Sequence, residues 1–306
     1  MQFSSSVEQA LAFSAGNGSA TAERAGESLA AKAALVQGLK TFPAVAQKVM
    51  AILGDPGFKI MDVARAVRDD PALGAKVMRV ANSAFYSRGK EVTSFDQAIV
   101  RLGRNSVREV IAAVATMELF EDSRGIGRRF RDHCAATASI SQALVRRLAP
   151  ALGEGAFLVG LLHDIGKLLL ISAGERLYET APDEYLAKPD RAHLLELDAL
   201  GFDHAVLAGQ VLWRWQIPDP VPQVVAWHHQ PALAYRDPAV DVLTAILRIA
   251  DHLEPALAGD EEELAEFVDL FAEGPDCRFA GVSAAELRAA LPELAAARAD
   301  SLALFC

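Results

Sequence analysis

Apolar residues recur every three to four positions along almost the whole chain from Thr21 onward, and no stretch of useful length alternates with period two. A helix buries one side of each turn, whereas a half-buried strand buries every second residue, so this spacing predicts an all-α fold. Hydrophobic residues make up 52% of the 306, enough to build a core and too many for a disordered chain.

Punctuation residues divide the pattern into helices. FPAVAQKVMAIL stops at the GDPG turn of residues 54–57, and MDVARAVRD stops at Asp70. Asp70 then caps a helix that begins on Pro71, because proline lacks the N–H that a first helical residue leaves unused. SRGKEV reads as a loop, and Thr93 and Ser94 both offer caps for FDQAIVRL. Gly103 closes that helix before Asn105 or Ser106 caps VREVIAAVATMELF. EDSRGIGRRFR is the best internal boundary, followed by a helix from about Arg129 to Leu148. The second half reads as one apolar helix through GAFLVGLLHDIGKLLLISA, a looser APDEYLAKPD segment and a helix from about Ala192 through Trp215. A proline turn at IPDPVP, the QVVAWHHQ helix and DVLTAILRIADHLEPAL complete it. These readings give a flexible arm over residues 1–20, an N-terminal helical lobe over 21–122, a second helical lobe over 123–256 and an acidic C-terminal helical extension over 257–306.

No basic leader precedes an apolar run and no uncharged stretch reaches membrane-spanning length, so the chain is expected to be soluble. Cys134, Cys277 and Cys306 share no close spacing and are odd in number, so neither a disulfide framework nor a zinc ribbon is implied, and a reducing cytoplasm is the simplest home. The net charge of -10 argues against a protein whose whole surface attracts nucleic acid. Locally the balance reverses: twelve Lys/Arg face seven Asp/Glu between residues 36 and 110. Arg101, Arg104 and Arg108 flank the helix–glycine–helix segment and are candidate contacts for a nucleotide or an acidic partner. The segment resembles a DNA-binding helix-turn-helix only superficially, and without a dense basic cluster DNA is disfavoured.

Histidine placement carries the chemistry. All seven histidines fall at or after residue 133. With neighbouring aspartates they give His133, His163-Asp164, His204, His228-His229 and Asp251 on five separate helices or helix ends. Imidazole and carboxylate suit Zn, Mn or Fe, and a helical bundle assembles such a site from one or two ligands per helix. Taken singly, each histidine also fits a hydrogen-bonded core residue, and His228-His229 fits a helix end. Asp164 shifts the balance, because burying an unpaired carboxylate in GLLHDIGKLLL would cost on the order of several kcal/mol. It needs a cation, a protonated histidine or a set of donors. Lys167, one turn on, reads equally as a solvated charge, as the partner of Asp164 or as a phosphate-binding charge. Trp213, Trp215 and Trp227 read as core and rim around this region.

The order His, then His-Asp, then Asp, centred on HDIGK, resembles the HD superfamily of metal-dependent phosphohydrolases. FPAVAQKVMAIL, DDPALGAKVMRVANSAFYS, SFDQAIVRLGRNSVREVI, AFLVGLLHDIGKLLL, FDHAVLAGQVLWRWQIP and VVAWHHQP resemble the HDOD family in particular, over about residues 36–255. The resemblance implies an HD-like helical bundle with an N-terminal helical lobe, and a regulatory role in bacterial signal transduction through protein or nucleotide contacts. It places His133, His163, Asp164 and Asp251 at the HD metal positions. His204, His228 and His229 fall where the related HD-GYP phosphodiesterases hold a second metal. QPALAYRDPAV, which follows the double histidine, lacks the glutamate and the GYP element of those enzymes. One or two divalent ions, Fe, Mn or Zn, are therefore expected. The alternative function is phosphoester hydrolysis, with Asp164 and Lys167 as catalytic residues.

Overall fold

The computed structural model describes residues 42–305, apart from 56, 69, 83–90, 121–124, 153–154, 182–190, 218 and 238–239. The expected N-terminal arm, most of the SRGKEV loop and nearly all of APDEYLAKPD lie outside the described residues. Among the described residues every regular element is a helix.

In the N-terminal half the described residues form four helices: α1 (Ala44–Gly54), α2 (Ile60–Arg68), α3 (Pro71–Asn82) and α4 (Phe95–Leu119). Asp70 Oδ1 accepts the backbone N–H of Leu73 at 3.0 Å, the cap expected ahead of Pro71. At the other end of α3, Asn82 pairs with both backbone groups of Val92, donating at 2.9 Å and accepting at 2.7 Å. Of the two caps offered for α4, the helix uses Ser94, whose side chain accepts the Gln97 N–H. Gly103 turns the chain out of the helix at φ 77°, a left-handed value that favours glycine, and helix resumes at once. The kink places Arg104 beside α1, where its Nε donates to the Leu53 carbonyl at 2.8 Å and an Nη to the Asp55 carbonyl at 3.1 Å. Its guanidinium also lies over the Phe58 ring, 5.0 Å from the centroid. Arg104 thus closes the C-terminus of α1.

The second lobe surrounds α5 (Ile126–Leu148), which starts slightly earlier than the sequence pattern suggests. A 3-10 turn (Pro150–Leu152) leads to α6 (Ala156–Leu162), buried along its whole length. Glu109 on α4 accepts the Gly155 N–H at 2.5 Å, anchoring the start of α6 to the first lobe. Gly160 lets α6 lie against α5, since a Cβ there would come within 2.6 Å of the Ala138 Cα.

The expected continuous helix through HDIGK breaks in two. α6 ends at Leu162, His163 and Asp164 form a turn, and α7 (Ile165–Ser172) starts afresh. Asp164 stands at the N-cap of α7 without capping it, because its carboxylate is engaged elsewhere. The expected helix from Ala192 through Trp215 is also two. After the short α8 (Leu177–Thr180), α9 (Ala192–Leu200) ends at Gly201, φ 71°, and α10 (His204–Arg214) begins behind Asp203, whose side chain accepts the Val206 N–H. That break makes His204 the first residue of a helix facing the core. Gly166 permits the contact: a Cβ there would sit 2.0 Å from the His204 carbonyl oxygen.

α11 (Val221–Trp227), the short α12 (Pro231–Ala234) and α13 (Asp241–Ala256) complete the lobe, and α14 (Glu261–Ala272), α15 (Pro275–Ala280) and α16 (Ala284–Phe305) follow. α16 packs along α5. One apolar core runs through both lobes and into this extension, from Phe42 to Leu294. Phe42 stacks on Trp215 at 5.2 Å, Trp227 is buried, and Trp213 lies on the rim.

Candidate metal centre

The turn between α6 and α7 aims His163 and Asp164 at α5, α10, the end of α11 and α13. His163 Nδ1 lies 2.7 Å from the Gly160 carbonyl, and His228 Nδ1 lies 2.7 Å from that of Val225. A carbonyl only accepts, so each Nδ1 carries a proton and Nε2, the nitrogen able to present a lone pair, faces the site. Both Nε2 atoms are buried and make no hydrogen bond. Burial, reinforced by His163 and His204 nearby, holds the His228 pKa well below the usual imidazole range, which keeps that lone pair free.

Asp164 connects the groups around it. Its Oδ2 accepts from Lys167 Nζ at 2.6 Å and its Oδ1 lies 2.9 Å from His204 Nε2. Burial alone would raise its pKa, but the positive charge of Lys167, with His163 and His204, holds it well below the carboxylate range. Asp251 Oδ1 lies 2.9 Å from His133 Nε2 and 3.4 Å from His163 Nε2. Two imidazoles each span a pair of carboxylates. His133 reaches Asp251 and Glu254, the latter at 2.8 Å, and His204 reaches Asp164 and Glu196, the latter at 2.7 Å. Burial opposes charge on both rings. The carboxylates prevail, raising His133 to about 10 and His204 to about 9.

The result is two overlapping pockets. Asp164, His204, His228 and His229 present ligand atoms within 4.8 Å of one another, as do His133, His163 and Asp164. The donor set fits a divalent metal of the Zn, Mn or Fe type, and the buried, unbonded Nε2 atoms of His163 and His228 are what such an ion would engage. His229 Nε2 lies 3.2 Å from His204 Nε2.

The HDOD domain profile matches residues 39–231. The chain belongs to the HDOD family. Solved structures with the same fold, all under 25% identical, include a Shewanella amazonensis SB2B protein whose name assigns it to the phosphohydrolases. It has a TM-score of 0.70 and 23% identity, covering 90% of this chain and 98% of that one. A Geobacter sulfurreducens HDOD domain protein of unknown function has a TM-score of 0.64 and 21% identity over 88% of this chain and 98% of that one. A Marinobacter aquaeolei VT8 protein named for signal transduction has a TM-score of 0.62 and 20% identity over 87% of this chain and 59% of that one. A curated relative from Treponema pallidum (strain Nichols), itself uncharacterised, is 19% identical over 195 residues, 63% of this chain. The HDOD chain spans only 38% of that relative's length.

All seven ligand candidates of the HDOD chain, His133, His163, Asp164, His204, His228, His229 and Asp251, meet in this one region. Lys167 is 5% exposed and bonded to Asp164, which removes the solvated reading. Arg101, Arg104 and Arg108 take no part: they lie on α4, with Arg104 committed to α1. Sequence reasoning missed Glu196 and Glu254. Glu196, fully buried, also accepts the Tyr178 hydroxyl and the His204 backbone N–H. A glutamate enclosed by leucines in HLLELDAL was the available signal. Glu254 lies one turn past Asp251, and that i,i+3 spacing was legible.

Proposed function

We propose that this is a cytoplasmic, bacterial HDOD regulatory protein that holds one or two divalent ions in the pockets sharing Asp164 and transmits a signal through contacts with a protein or a nucleotide. The observation that carries the reading is the pair of buried Nε2 atoms, of His163 and His228, that make no hydrogen bond. Each ring is oriented by its own Nδ1–H bond, so neither needs its second nitrogen for folding. Leaving two such atoms dry and unpaired beside a carboxylate is costly unless a cation belongs there. Glu196 and Glu254 support it, because a carboxylate on the far nitrogen of a ligating imidazole is the usual means of orienting one.

A second reading is a metal-dependent phosphohydrolase, supported by the exposure of His133, whose side chain is 20% open while His163, Asp164, His204 and Asp251 are buried. A divalent ion would supply Lewis acidity toward a phosphoryl oxygen and a lower pKa for a water at the site. The residues of the chain orient and neutralise: Lys167 fixes the Asp164 carboxylate, and Glu196 and Glu254 set the His204 and His133 rings. His133 marks the side from which a phosphoester would approach.

Elemental analysis of protein purified without added metal tests the first reading, alongside turnover assays on cyclic dinucleotides, nucleotides and simple phosphodiesters. Bound metal without turnover supports the regulatory protein. Turnover lost in Asp164→Asn supports the hydrolase. A protein that takes no metal even after reconstitution sinks both.

A further inference from the structure

Two charged threads run from the C-terminal extension to groups that carry ligands. On α16, Arg298 Nε donates to Glu254 Oε1 at 2.9 Å, while Glu254 Oε2 lies 2.8 Å from His133 Nδ1. With each oxygen committed to a different partner the carboxylate cannot rotate freely, and the His133 ring stays turned with Nε2 toward Asp251. On α15, buried Asp276 accepts from Arg248 Nε at 2.9 Å and from the Tyr235 hydroxyl. Arg248 in turn donates from Nη1 to the His228 carbonyl at 2.5 Å, in the turn that ends α11 and presents His228 and His229. α16 itself is seated by Leu287, Ala290 and Leu294, all buried, and by Arg147 with Glu293 at 3.4 Å on α5, the helix that bears His133.

Apolar packing alone would hold the extension on the domain without orienting anything in the site. The charged threads do more, because each terminates on a group whose direction decides where a ligand atom points. We propose that the extension, residues 257–305, is a positioning element of the metal centre. Arg298, acting through Glu254, aims His133; Asp276, acting through Arg248, holds the turn of His228 and His229. The inference rests on the metal-binding reading above. Both threads begin beyond residue 231, where the family match ends.

The test uses the full chain with Mn2+ alone as the probe, its affinity read by competition with a chelator. Arg298→Gln is expected to bind about 10-fold more weakly or worse, the scale of losing an outer partner of a ligating histidine. Arg298→Lys recovers part of that loss and Asp276→Asn weakens binding comparably. In EDTA the melting midpoint of Arg298→Gln falls only slightly, since Glu254 keeps its His133 partner, while the 15N resonances of the His133 ring shift, a response that loss of packing alone would not produce. Wild-type affinity together with an unmoved His133 signature in Arg298→Gln overturns the proposal while leaving the functional reading intact. Should Asp276→Asn fail to fold, Arg298→Gln still decides. A wild-type protein that takes up no Mn2+ overturns the functional reading, and this inference with it.

Discussion

Lys167 Nζ donates to Asp164 Oδ2 at 2.6 Å, one turn along the chain, with both groups shut off from solvent. The pair keeps a carboxylate ionised in a run of leucines before any metal arrives. Removing the ammonium leaves Asp164 to the surrounding histidines, of which His204 is the nearest at 2.9 Å. Lys167→Met should therefore lower the stability of metal-free protein by about 3–5 kcal/mol, the scale for breaking a buried ion pair. Added metal should restore much of that, because a cation at Asp164 replaces the lost one. Urea unfolding in EDTA and in Mn2+ measures both, and an equal loss in the two conditions would contradict the assignment.

His228 belongs to the pocket with His204 and His229, not to the one with His133 and His163. Where the wild type holds two ions, His228→Ala should accordingly remove one and leave the other in place. Elemental analysis of both proteins checks the count. Loss of all metal, or of none, argues against two separable pockets.

Acidity should govern loading with a definite sign. In the metal-free protein His133 stays protonated up to about pH 10 and His204 up to about pH 9, each held by two carboxylates. A metal accepts only the neutral ring, so each ion bound through one of them displaces a proton at neutral pH. Affinity should rise with pH and level off above about 10. Titration calorimetry in buffers of different ionisation enthalpy should show about one proton released per ion, and a heat independent of buffer would count against these protonation states.

A methyl group on Gly166 would meet a backbone atom, not a flexible side chain: the His204 carbonyl stands 2.0 Å from where its Cβ would be. Overpacking of this kind costs about 1–3 kcal/mol and occasionally more, and the immovable neighbour places Gly166→Ala at the upper end. The variant should also hold less metal, since α7 and α10 can separate only by moving His204 away from Asp164. Denaturant unfolding and metal content report the two effects independently.

Much of this was legible in residue order. The helical period gave the fold class, Asp70-Pro71 and Ser94 marked helix starts, and the histidine distribution gathered every ligand candidate. What the pattern could not show were interruptions inside apolar runs. GLLHDIGKLLL has the spacing of one helix, and its break at His163-Asp164 comes from tertiary competition for the Asp164 carboxylate. The break at Gly201 was nearer the surface of the sequence, since GFD carries both a helix-ending glycine and a capping aspartate. The Arg104 contact with α1 joins positions 51 residues apart through backbone carbonyls, which no side-chain motif records. Glu196 escaped notice because an orienting group has no spacing rule of its own, whereas Glu254 stood one helical turn past Asp251.

The same reach along the chain bears on how the centre comes into being. His133 meets Asp251 across 118 residues and Glu254 across 121. Bringing such distant segments together loses chain entropy before it gains contacts, so pairings of this kind form late. On a ribosome the His163-Asp164 turn emerges and can settle against α5 well before α13 exists. A nascent chain ending short of Asp251 would present the His133 side of the centre unfinished, and metal there would be captured only once α13 has emerged.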